Sequence, residues 1–318
     1  MDSCERKEGS ISWNGMTTTE SSTRMQRPVA RVITAHRQTE GAGFVVRRPF
    51  PTAGIDQLDP FLMLDEMGPV DNGPGEAIGA PDHPHRGFET VTYVLDGAME
   101  HRDSTGAVGV IRPGAVQWMT AGSGVVHSEM PTAEMRRHGG RSHGFQLWVN
   151  LRAADKMTPP RYQGFEADEF TRVTLPAGGT LRVLAGDVAG ATGPVETTIP
   201  VTYAHLSLRA GESVDWDVAE GETALVYVFG GSAQVNGTTA LDGQLVVLDR
   251  SAGHVQIAAP GDSDAEALLL AGQPLREPIA RYGPFVMNTR DEIVQAFEDY
   301  QAGRLGPIPA AGSGAGHG

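Results

Sequence analysis

From Val29 onward the chain alternates short apolar runs, rich in β-branched residues, with turns built from Gly, Pro, Asn and Asp. Strand signals fall at Val29–Ile33, Gly43–Arg47, Thr90–Leu95, Val108–Ile111, Val116–Met119, Gly144–Leu151, Leu181–Leu184, Tyr203–Leu208, Ala224–Phe229 and Gln244–Leu248. The runs lie too close together for helices to alternate with strands. That spacing disfavours a parallel βαβ sheet and predicts an all-β sandwich or barrel. One helix is predicted near the end: Thr289 and Glu292 have capping-box spacing, and Ile293, Ala296, Phe297 and Tyr300 share a face before Gly303. It is expected to pack against a barrel and carries no chemistry.

A weak internal repeat adds a second level of organisation. Thr92-Tyr93-Val94-Leu95-Asp96-Gly97 is echoed by Val226-Tyr227-Val228-Phe229-Gly230-Gly231, and Pro113-Gly114-Ala115-Val116-Gln117-Trp118 by Asp242-Gly243-Gln244-Leu245-Val246-Val247. A chain of 318 residues exceeds the usual single domain. Two duplicated barrels are therefore expected, over residues 28–157 and 158–288. Residues 1–27 lack periodicity and are expected to be a disordered tail, and residues 289–318 to hold the helix and a second tail of Ala, Gly and Ser.

Composition narrows the partners. A formal charge of −14 repels phosphate backbones and anionic headgroups, so neither direct nucleic-acid binding nor a membrane partner is expected. The local basic cluster of Arg136, Arg137, His138, Arg141 and His143 would suit an anion but reads more simply as a solvated loop. Cys4 is the single cysteine, which excludes a disulfide framework and a thiolate metal cluster. No apolar leader or membrane-length apolar run is present, and a cytoplasmic location is expected.

The chemistry concentrates in two short pairs. Residues two apart on an extended strand share a face, so His83-Pro84-His85 presents two imidazoles together and His127-Ser128-Glu129 an imidazole with a carboxylate. Pro84 cannot donate to a sheet ladder, which places its pair at a strand start or bulge. If the pairs face one another inside a barrel, three neutral nitrogens and a carboxylate oxygen converge and leave coordination positions open, as catalytic rather than structural sites do. Glu129 then doubles as a proton acceptor for a hydroxyl brought to the metal. Glu89, four residues past His85, competes for the carboxylate position; Glu129 is preferred because its spacing fixes its face. The second repeat offers Asp217, Ala219, Gln256 and Ala258 at the matching places, so a single active half is expected. His205 and His254 are read as non-ligating, and His101 as a cavity wall residue outside the ligand set.

The segments His83-Pro84-His85-Arg86-Gly87-Phe88-Glu89-Thr90-Val91, Gln117-Trp118-Met119-Thr120-Ala121-Gly122, His127-Ser128-Glu129-Met130-Pro131, Gln146-Leu147-Trp148-Val149-Asn150-Leu151 and Tyr282-Gly283-Pro284-Phe285-Val286-Met287-Asn288 resemble the pirin family of the cupin superfamily. The resemblance spans residues 28–305. It implies two cupin domains, the first binding one divalent metal through His83, His85, His127 and Glu129, with Glu89 outside the ligand set. Iron is the expected metal, with Mn, Ni, Co, Cu or Zn as substitutes. The resemblance implies a quercetin 2,3-dioxygenase-like enzyme acting on a flavonol and O2 with release of carbon monoxide. The alternative it carries is a non-enzymatic, iron-binding, redox-sensitive regulator that recruits a protein partner.

Overall fold

The computed structural model describes residues 25–40 and 43–309. The expected tails over 1–24 and 310–318 lie outside them. Each of the ten strand signals meets a strand, and the two halves carry separate antiparallel sheets. In the first, a seven-stranded sheet runs in the order Arg161–Phe165, Val116–Thr120, Phe88–Asp96, Gly140–Asn150, Phe61–Asn72, Phe44–Phe50, His36–Glu40. A four-stranded sheet accompanies it, ordered Ala80–His85, Val125–Pro131, Met99–Asp103, Val108–Ile111. In the second half a ten-stranded sheet is built around Thr223–Val235, Ala265–Gly272 and Val201–Leu208. The internal repeat is visible in the register: Tyr93 pairs with Val116 in the first half as Tyr227 pairs with Leu245 in the second.

Alternation along one strand divides the molecule. On Phe88–Asp96, Val91 and Tyr93 point into an apolar layer between the barrels, with Tyr203, Leu225, Tyr227 and Leu268. Phe88, Thr92 and Val94 point the other way, into the first barrel. The strand Thr223–Val235 repeats the division, sending Leu225 and Tyr227 to the shared layer and Val226 and Val228 into the second barrel. That second interior is filled by aliphatic side chains such as Leu181, Val183, Leu206, Val226, Val255 and Leu269. It is a close-packed core in which polar donors have no place. A buried polar knot also crosses the seam: Glu66, fully buried, accepts from Arg47 Nη2 at 2.6 Å and from Tyr227 Oη at 2.6 Å, with His143 Nε2 2.9 Å away.

Three expectations need correction. The tail does not extend to residue 27, because Gln26 bridges to His254 and Arg27 is wholly buried, donating to the Ala219 carbonyl at 2.6 Å. The strand Val29–Thr34 pairs with Gln244–Leu248, covering an edge of the second sheet that would otherwise be open. Conversely Phe285, Met287, Ile293, Ala296 and Leu305 pack with Val126 of the first barrel. The sheets thus exchange their ends across the boundaries at 28 and 289. The basic stretch is not a loop but enters a short helix, Ala133–His138, capped by the Thr132 hydroxyl. Arg136 and Arg137 sit in its last turn on exposed or half-buried surface, and Arg141 lies 3.2 Å from Asp96.

The terminal helix spans Arg290–Gln301 with a complete capping box between Thr289 and Glu292. Ile293 and Ala296 are buried, whereas Tyr300 is 38% exposed, so the apolar face is narrower than its periodicity suggests. Among the described residues no helix is long and apolar enough to cross a membrane.

Candidate metal centre

His83 and His85 lie near the end of the strand Ala80–His85, an edge strand, which accommodates Pro84 without breaking a ladder on both sides. The strand Val125–Pro131 runs antiparallel to it and sets His127 opposite His83. Between His127 and Glu129 the register slips by one, three steps from His83 to Ala80 facing two, so the extra residue lies in the edge strand while Val125–Pro131 stays in register with Met99–Asp103 on its other side. The ring centroids of His83 and His127 lie 4.3 Å apart, those of His83 and His85 4.7 Å, and those of His85 and His127 4.9 Å. One donor atom from each of the three comes within 4.8 Å of the others.

Hydrogen bonding assigns the lone pairs. His83 Nδ1 lies 2.7 Å from the Pro81 carbonyl, which can only accept, so Nδ1 carries the proton and Nε2 is free. His127 is fully buried, and neither of its ring nitrogens has a hydrogen-bond partner. Burial, reinforced by His85, His83 and His101, holds His127 well below the ordinary imidazole range. Burial and then His83 do the same to His85. Both rings are neutral at physiological pH, the state a metal requires. Orphaned nitrogens among neutral imidazoles fit a divalent first-row ion better than any arrangement of protein donors the barrel provides.

Glu129 is reached by three donors: Thr92 Oγ1 at 2.7 Å and Gln117 Nε2 at 2.9 Å on Oε1, and Gln146 Nε2 at 3.1 Å on Oε2. A carboxylate has about four acceptor sites, so one remains for a metal or a substrate proton. Glu129 also forms a second compact group with His127 and His101, their donor atoms lying within 4.8 Å of one another. Glu89 sits on the opposite face of its strand, accepting from Thr120 Oγ1 at 2.7 Å and from Thr198 Oγ1 at 2.6 Å in the second half. Strand parity removes it from the barrel interior.

His205 links Tyr93 and Glu266 at 2.7 Å each, and His254 lies 3.8 Å from Asp215; both stand in hydrogen-bonded or ionic settings away from the imidazole groups. The strand-pair reasoning missed Gln117, Gln146 and Thr92, which hold Glu129, although their inward alternation was available as a signal. It also missed Lys156. That residue is 1% exposed and donates to the Gly87 carbonyl at 2.7 Å, Asn150 Oδ1 at 2.6 Å and the Val286 carbonyl at 3.0 Å. Burial pulls its ammonium down to about 8. It ties the loop after His85 to the C-terminal segment.

A cavity of ≈ 910 Å³ opens onto His83, His85 and Glu129, with Met63, Met67, Val94 and Trp148 in its wall. The indole of Trp148 packs edge-on to His85 at 5.2 Å and beneath Arg281 at 4.9 Å. Charged groups such as Arg48, Asp65, Asp96 and Arg281 share the wall with these apolar side chains, and a cavity of this size beside the imidazoles suits a small molecule with both polar and apolar faces. A second cavity of ≈ 990 Å³ at the seam contains none of the imidazoles.

Comparison with known proteins identifies the family. The Pirin family model matches residues 43–149, and the model of the pirin C-terminal cupin domain matches residues 203–306. A Pseudomonas aeruginosa protein provisionally named quercetin 2,3-dioxygenase is 45% identical over 85% of this chain and 95% of its own. A pirin-like protein of Caulobacter vibrioides is 43% identical over 88% of this chain and 99% of its own. The crystal structure of a quercetin 2,3-dioxygenase from Acinetobacter baumannii superposes with a TM-score of 0.84 at 39% identity, covering 90% of this chain and 100% of that one. Both halves match in order, and the duplicated β-fold is that of a bicupin: this chain belongs to the pirin family.

Proposed function

We propose that the protein is a metal-dependent dioxygenase that opens a flavonol-type ring with O2 and releases carbon monoxide, its ion held by His83, His85, His127 and Glu129. The observation that carries the reading is the pair of orphaned nitrogens on buried His127, beside the imidazoles of His83 and His85, which line a substrate-sized cavity. When bound, iron or a related divalent ion would supply Lewis acidity toward a ring hydroxyl and a route for electrons between substrate and O2.

The chain's own part is binding, orientation and proton handling. Trp148, Met63 and Met67 offer apolar wall to a planar aromatic substrate and exclude water from it. Glu129 accepts the proton of the substrate hydroxyl. Thr92 and Gln117 hold Oε1 in place during that transfer, and Gln146 holds Oε2. The named relatives support the enzyme reading in class, and the flavonol is the substrate that reading proposes.

An aerobic assay tests it. Protein loaded in turn with iron, manganese, nickel and cobalt is expected to consume quercetin, followed by loss of its absorbance and by carbon monoxide release, and His127→Ala to abolish both. A protein that binds metal but leaves quercetin intact with every ion would overturn the dioxygenase reading and favour the regulatory one.

A further inference from the structure

The ≈ 990 Å³ cavity at the seam is built by three stretches of chain that lie far apart in sequence. Arg31 and Val247 are cross-strand partners, and alternation puts Ile33 on the same face as Arg31, turned toward the first half. Ile55 and Leu58 of the first half line the same space. Their turn is held at both ends by paired amides, Thr52 with Ile55 at 2.9 Å each way and Leu58 with Phe61 at 2.9 and 2.8 Å. Ile279 and Arg281 complete the wall from the C-terminal segment. A cleft fixed in this way is formed before any ligand arrives, which lowers the cost of binding.

Two features define what it suits. The apolar part of its wall is aliphatic, and no aromatic ring stands among the described lining residues, in contrast to Trp148 in the metal chamber. Such a surface matches a flexible hydrocarbon chain better than a flat ring, which gains from stacking. The charged part is cationic. Arg31 and Arg281 share the wall with one carboxylate, Asp56, and neither guanidinium is ion-paired among the described residues. Arg281 has the Leu62 carbonyl at 3.3 Å and the Trp148 ring, because nearby Asp65 is engaged by Arg48 at 2.6 and 2.5 Å. In a chain of net charge −14, two open guanidinia beside an aliphatic wall are a local reversal of sign. The planar fork of arginine matches a carboxylate in charge and in geometry.

We propose that the seam cleft is a second ligand site, which takes an aliphatic carboxylate of the fatty-acid class. Its chain lies along Ile33, Ile55, Leu58 and Val247, and its head group meets Arg31 and Arg281. The site contains none of the imidazoles and stands independently of the dioxygenase reading. It adjoins the metal chamber through Arg281, which belongs to both walls and stacks on Trp148.

Octanoate is the probe, titrated into the full-length chain by calorimetry, with octanol as its uncharged counterpart. Octanoate is expected to bind at one site per chain, about tenfold or more tightly than octanol, and Arg31→Gln to lose that preference. Ile55→Glu, which brings a carboxylate into the cleft, is expected to weaken octanoate about tenfold more than octanol. It decides the matter should Arg31→Gln lose its native circular dichroism. No binding of octanoate, or equal affinity for the two probes in the wild type, would overturn the proposal. So would a folded Arg31→Gln that holds octanoate within about twofold of wild type, the result a ligand lodged in the metal chamber would give.

Discussion

Arg86 Nη1 lies 2.7 Å from Asp299 Oδ2, so the residue that follows His85 is bound to the terminal helix 213 positions away. The hydrogen bond from Arg86 is the main reason the Asp299 carboxyl is held down at about 2. Asp299→Ala is expected to cost about 1.5–3 kcal/mol, the usual worth of a hydrogen bond to a charged group, read by urea unfolding. The pair's contribution is complete above the ordinary aspartate value of 3.8 and is lost as pH falls through about 2. Weakened cobalt binding in the same variant would show that the helix steadies the His85 loop.

Gln117→Leu removes one of the three donors that hold Glu129. The expected result is about 1 kcal/mol of stability and about a tenfold loss of metal affinity, because groups behind a ligand set its orientation. Titration against a metal buffer measures the second quantity. Unchanged affinity would mean that Thr92 and Gln146 suffice.

The depressed values of His85 and His127 carry a sign. As pH falls below 6.5 the unfolded chain binds protons that the folded rings refuse, so the metal-free protein loses stability in acid. Each ring contributes at most about 1.4 kcal/mol per pH unit, and nothing above its unfolded value. Urea unfolding between about pH 7.5 and 5.5, compared with His127→Phe, should give a shallower slope in the variant.

Gly87 has φ +88°, and a Cβ there would sit 2.0 Å from the Val286 carbonyl oxygen. Gly87→Ala must push the C-terminal segment away from the loop after His85. A loss on the order of 2–4 kcal/mol is expected, with easier proteolysis after residue 280.

Tyr227→Phe deletes the phenol that reaches Glu66 across the seam. Arg47 still pairs with the carboxylate, so the cost is expected near 1–2 kcal/mol, with both halves still unfolding in one transition. Two separated transitions would mean that the polar knot, more than the apolar layer, couples the barrels.

Local pattern determined a good deal. The alternation in Thr90–Leu95 and Ala224–Phe229, and the Thr289 capping box, require only contacts within a few residues, so strands, duplication and helix were legible from the chain alone. The same rule of alternation put His83 with His85 and His127 with Glu129. Tertiary structure decided what depends on distant partners. The second hydrogen-bond partner of Glu89 comes from Thr198 in the other half, the exchange of terminal segments from a sheet edge that needed covering, and the buried, unpartnered Nδ1 of His101 from Asp103 claiming its other nitrogen. Pairing register and buried hydrogen bonds join residues far apart in sequence, and periodicity carries no record of them.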